Sequence, residues 1–194
     1  MARTKAFDET AVIDRALAMF WEQGYEATSV RDLLNHTGIS SSSLYASFGD
    51  KHDLFCAALD RYRAIEREQF AAILTASQAI RPTLNDLYAA LIDTLLLDDG
   101  SRGSFTLNAA IELGGRDSPV LDRLRQHFTD ISAILEGRLS AAQASGEINA
   151  TQPAADLAHY SLFGLYTLAT MARIYPDRAL LESMAKMHLA ILDC

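Results

Sequence analysis

TSVRDLLNHTGISSSSLYASFGDKHDLF, residues 28–55, decides how the chain reads. Val30, Leu33 and Leu34 give a short helix one apolar face, and Thr28 or Ser29 stands where its cap belongs. Gly38 breaks that helix at a turn that needs positive φ, and Ser40 caps the next one. Ile39, Leu44 and Phe48 bury one side of this second helix. Its other side then shows Ser41, Ser42, Ser43, Tyr45 and Ser47. Gly49 stops it, and Asp50 caps a longer helix that begins with Lys51 and His52. Two short helices set across a glycine turn form a helix-turn-helix unit. Short hydroxyl donors and one phenol can meet phosphates and base edges in a major groove without holding the helix away. The start of the following helix, with Lys51 and His52 beside its free N–H groups, suits a phosphate.

Upstream, Asp8 or Glu9 opens a first helix with Ile13, Leu17 and Phe20 at i, i+4 and i+7, and Gly24 ends it. Downstream, the helix from Asp50 carries Leu54, Ala58, Leu59, Tyr62, Ile65 and Phe70 on its apolar positions. After Arg81-Pro82, breakers at 98–100, 114–115, 146, 153 and 176 delimit helices expected near 83–97, 103–114, 118–145, 153–174 and 177–192. No alternating strand run appears, so the expected fold is all-α: a three-helix head and a helical bundle, about nine helices in total. The expected division is 1–50 for the head and 51–194 for the bundle, with helix 50–76 connecting them.

The 194 residues are 49% hydrophobic and 22% charged, an ordinary globular composition. No apolar run reaches the roughly 20 residues of a membrane span, and the polar start MARTKAFDET lacks a signal-peptide core, so a cytoplasmic, membrane-free protein is expected. Cys56 and Cys194 have no redox or metal spacing and read as reduced thiols. The net charge is −8. Residues 1–51 hold five Lys/Arg against seven Asp/Glu, a net −2, so any DNA contact must rest on a few placed donors rather than a basic patch. The five histidines share no ligand spacing, and no phosphate loop or nucleophile elbow occurs. No metal, cofactor or enzymatic activity is expected.

The string running from Ala16, Phe20, Gly24 and Tyr25 through Thr28-Ser29-Val30 and Thr37-Gly38-Ile39-Ser40 to Leu44-Tyr45, Phe48-Gly49-Asp50-Lys51 and Leu54 resembles the DNA-binding head of the TetR family of bacterial repressors. The resemblance implies a homodimeric regulator of palindromic double-stranded DNA, released by a small lipophilic effector held in the bundle. A dimeric DNA-binding regulator without such a ligand is the alternative. By position, Thr28 is expected to cap the second helix against a phosphate. Ser40, Ser41, Ser42, Ser43, Tyr45 and Ser47 are expected on the recognition helix, Lys51 and His52 at the backbone, and Arg3 and Lys5 in a minor-groove arm.

Ser41 stands where the family often has a basic residue, Leu34 where alanine is usual and Ser47 where histidine is common. Ser104 replaces a frequent cysteine, so no electrophile-sensing thiol is expected there. Helices near 153–174 and 177–192 correspond to the family's dimer interface. Ser161, Gly164 and Ala172 on one side of the former suit a close helix approach. The expected ligand residues are Phe105, Asn108 and Glu112 at i, i+3 and i+7, with Tyr160, Phe163 and Tyr166 approaching from the next-to-last helix.

Overall fold

In the computed structural model the described residues are 7–76, 79–97 and 102–193. Arg3, Lys5 and Cys194 lie outside them. The chain runs α1 (Glu9–Gln23), α2 (Val30–Thr37), α3 (Ser41–Ser47), α4 (Lys51–Ala76), α5 (Ile80–Leu97), α6 (Phe105–Leu113), α7 (Ser118–Ala144), α8 (Ala154–Met171) and α9 (Arg178–Leu189), then a closing 3₁₀ turn, Ala190–Asp193. No strand occurs among the described residues.

Side-chain caps explain most helix starts. Asp8 accepts the N–H of Thr10 and Ala11 at the head of α1, Ser29 that of Asp32, and Ser40 that of Ser43. Ser104, Asp117 and Asp177 do the same for α6, α7 and α9. Each such cap stabilises its helix by about 1 kcal/mol. The expected boundaries shift where a breaker proves tolerable. Pro82 does not precede α5 but sits in its first turn, where its missing N–H would have had no helical partner. The expected helix near 153–174 ends at Met171, and α6 is the short piece Phe105–Leu113.

Two apolar clusters hold these helices together. The first gathers α5, α8, α9, the second half of α7 and Leu74 of α4 around residues such as Leu84, Tyr88, Ile131 and Leu162. The second unites the head (Val12, Phe20, Leu33, Leu44) and the first half of α4 with Phe105 and Leu113 of α6 and Val120 and Leu124 of α7. A head of some 50 residues buries too little surface on its own, and the bundle completes its core. Aromatic rings knit the junction: Phe20–Phe55 at 5.1 Å, Trp21–Tyr62 at 5.0 Å and Tyr62–Phe105 at 5.6 Å between centroids. Cys56 belongs to this core, and burial pushes its thiol pKa up.

Gly164 of α8 is a close-approach position. A Cβ there would lie 2.7 Å from both His188 Nδ1 and Tyr88 Oη, so α8 owes its glycine to α9 and α5 of its own chain.

Candidate nucleic-acid interface and ligand cavity

The recognition unit is built by burying one side of α3 and leaving the other free. Leu44 is wholly buried and Ile39 nearly so, while Phe48 packs half-buried beside them. Gly38 has φ 75° and ψ 18°, the left-handed turn that separates α2 from α3. The Arg15 guanidinium donates to the Thr37 carbonyl at 3.0 Å, pinning the end of α2 to α1. On the free side Ser40, Ser41 and Ser42 are exposed, Ser43 and Ser47 are half-buried, and Tyr45 is 57% exposed. The Ser40 hydroxyl caps α3 and lies 2.9 Å from the hydroxyls of Ser42 and Ser43. The helix therefore presents a small, polar, sterically open face with one projecting aromatic.

Three expected contact residues have partners within the chain. Thr28 is fully buried, and its hydroxyl donates to the Gly24 carbonyl at 2.6 Å; Ser29, one residue on, is the cap of α2. A buried β-hydroxyl satisfied by its own backbone has no donor left for a phosphate. His52 is held toward α7: its Nε2 lies 2.6 Å from Oδ2 of Asp117, the cap of that helix. Lys51 is half-buried with its ammonium 4.2 Å from the centroid of the Tyr25 ring. That contact restrains the side chain at the start of α4 without neutralising it. Asp50, His52 and Asp53 bring ligand atoms within 4.8 Å of one another here. They are a helix N-terminus with its capping carboxylate, Asp50 accepting the Asp53 N–H at 2.9 Å.

A cavity of about 430 Å³ lies where the head meets the bundle. Its walls come from α1 (Trp21), α4 (Tyr62, Glu66, Phe70), α5 (Leu91) and α8 (Tyr166), among others. Its surface is mostly apolar, the character of a small-molecule site. Polar groups gather at one place. His127, 1% exposed on its side chain, sets Nε2 2.6 Å from Glu66 Oε2, and the Tyr166 hydroxyl lies 3.3 Å from the same nitrogen. Burial pushes the phenols of Tyr62 and Tyr166 well up, so both rings are neutral hydrogen-bonding groups.

Of the six expected ligand residues only Tyr166 borders this cavity. Phe105 is packed into the aromatic junction, 1% exposed. Asn108 spends its amide on the Arg102 carbonyl and the Arg173 guanidinium. Tyr160 and Phe163 point outward, 43% and 59% exposed. Glu112 is turned to the head: its two carboxylate oxygens accept the backbone N–H groups of Tyr25 and Glu26 at 2.9 and 2.8 Å. The i, i+3, i+7 row on α6 thus faces α1 and the turn after it, where Phe105, Asn108 and Glu112 line a second, smaller cavity of about 230 Å³ with Trp21, Phe55 and Arg173. The residues that do line the first cavity on α4, Tyr62, Glu66, Gln69 and Ile73, sit at i, i+4, i+7 and i+11. Two polar residues on a stripe that otherwise buries were the available signal.

Trp21 connects cavity and head. It belongs to α1, borders the cavity, and donates its indole N–H to the Arg102 carbonyl at 3.2 Å.

Comparison with known proteins agrees with this geometry. Residues 12–58 match the family described as bacterial regulatory proteins, tetR family, and residues 81–188 match a tetracyclin repressor-like C-terminal domain. The chain is 34% identical over 164 residues to the HTH-type transcriptional repressor ComR of Escherichia coli K12, covering 83% of this chain and 76% of that protein. It is 28% identical over 194 residues to the HTH-type transcriptional regulator YezE of Bacillus subtilis 168, covering 100% of both. Among solved structures, a cysteine mutant of the TetR family regulator CifR complexed with double-strand operator DNA superposes with TM-score 0.85 at 26% identity, covering 97% of this chain and 98% of that one. No described helix is long and apolar enough to cross a membrane. The chain is a member of the TetR family of DNA-binding transcriptional regulators.

Proposed function

We propose that the protein is a homodimeric repressor that holds a palindromic operator and leaves it when a small lipophilic molecule occupies the cavity. The observation that carries the reading is the fully capped α3 with its buried Leu44 and its open face of Ser41, Ser42 and Tyr45. One recognition helix makes too little contact for specificity, so two are required on related half-sites. Exposed apolar side chains favour pairing through α8 and α9: Tyr160 and Phe163 on one, Leu180 and Met187 on the other. In this reading Ser40, Ser43 and Ser47 flank the base-reading surface, Lys51 holds a phosphate, and Arg3 and Lys5 extend a basic arm. The head comprises residues 1–50, and the ligand and dimer functions reside in 51–194. Such a regulator works in the cytoplasm, where bacterial DNA lies, and performs no chemical conversion. The name of the E. coli relative, a transcriptional repressor, supports the sign of regulation.

Release follows from the contacts. Cavity walls on α1 and α4 belong to elements that carry the head, so an occupant that moves Trp21 or tilts α4 displaces α3 in both protomers. The occupant must bind the released arrangement better, by about 1.4 kcal/mol for each tenfold loss of operator affinity. A regulator without a ligand would have no use for a cavity of about 430 Å³ walled partly by its head, which favours the first reading. Footprinting of the purified protein on its own genomic DNA tests it. A protected palindrome is expected, and protection without sequence preference would refute the reading.

A further inference from the structure

Among the described residues that border the cavity, Glu66 is the single carboxylate and no Lys or Arg is found. The other ionisable groups there are phenols that burial keeps neutral. A carboxylate in apolar surroundings is costly unless partners surround it. Its two oxygens offer about four acceptor positions; His127, lying behind it at 2.6 Å from Oε2, takes one and the Tyr166 hydroxyl another, which leaves room for a ligand donor. His127 is buried to 1% and cannot itself reach solvent, so it serves to orient Glu66. The rest of the wall is apolar or aromatic, with Trp21, Tyr62, Ile65, Phe70 and Leu91 able to cover a hydrocarbon body.

Resting on the ligand-released reading above, we infer that the effector is a lipophilic amine whose ammonium pairs with Glu66. A fatty anion would set a second carboxylate beside Glu66 in a low-dielectric site, with no Lys or Arg among the described wall residues to pair with it. A neutral alcohol can donate one hydrogen bond. An ammonium donates three and gains a charge-assisted bond, the stronger class. Aromatic faces on the same wall add cation–π attraction.

The chain contains one tryptophan, and Trp21 lines the cavity, so its emission reports occupancy. The probes are decylamine, decanol and decanoate, titrated into the full-length wild type and into Glu66→Gln. Wild type should bind the amine at least about tenfold tighter than the alcohol, with decanoate weakest. In Glu66→Gln the amine should lose that advantage while decanol binds as before, which also shows that the variant is folded. Equal binding of all three by wild type, or an amine preference that survives Glu66→Gln, overturns the assignment of Glu66 and leaves the cavity reading standing. Absence of binding by all three probes overturns both.

Discussion

Replacing Glu112 by alanine should loosen the head from the bundle. The carboxylate accepts two backbone N–H groups, Tyr25 at 2.9 Å and Glu26 at 2.8 Å. Hydrogen bonds to a charged group contribute about 1.5–3 kcal/mol each. The Glu26 amide is exposed and would recover a water, so its bond belongs well below that range; the Tyr25 amide is half-buried and loses more. The two together come to about 2 kcal/mol, some thirtyfold in the folding equilibrium. Glu112→Gln keeps one acceptor oxygen and should lose about half as much. Urea unfolding measures the midpoint, and amide hydrogen exchange at Tyr25 and Glu26 localises the effect. A midpoint within about 0.5 kcal/mol of wild type, with unchanged exchange at both amides, would refute the clasp.

Lys51→Ala should weaken binding to all duplexes alike and lower the salt slope by about one unit, because a phosphate contact carries no sequence information; titration at several salt concentrations checks it. Phe163→Glu together with Met187→Glu, at side chains 59% and 74% exposed, should leave the monomer fold intact and abolish the dimer mass in light scattering. Gly164→Ala sets a helix-propensity gain of about 1 kcal/mol against overpacking of about 1–3 kcal/mol. With Cβ 2.7 Å from His188 Nδ1 and Tyr88 Oη, overpacking should win, lowering the thermal midpoint. A raised midpoint would mean that α9 yields.

The head was legible in the sequence because its signals are local. Asp8, Ser29, Ser40 and Gly38 act on amides or dihedrals within a few residues of themselves, and all are found where helix starts and turns require them. The cavity was far less legible. Trp21, Glu66, Leu91 and Tyr166 come together only when four helices have packed, and no spacing encodes that. Glu112 shows the hazard of reading a helix face in isolation. A carboxylate on an otherwise apolar helix does need a partner, and the partner within the chain is the backbone of the α1–α2 turn 86 residues away, which no spacing on α6 announces. Thr28 and Ser29 are chemically alike as caps, and only the tertiary burial of Thr28 separates their roles. Pro82 reads as a boundary because proline stops helices from within, yet the first turn admits it.

The most direct test of sequence-specific recognition is the ratio of affinities for the footprinted operator and for a scrambled duplex of equal length, measured for wild type and Tyr45→Ala at one physiological salt concentration. Tyr45 is the one large side chain on the open face of α3, 57% exposed. The wild-type ratio should be about 10³ or more, and Tyr45→Ala should lower it mainly by weakening the operator complex. A wild-type ratio near one, or a ratio that Tyr45→Ala leaves unchanged, would contradict the account of α3 as the helix that reads DNA.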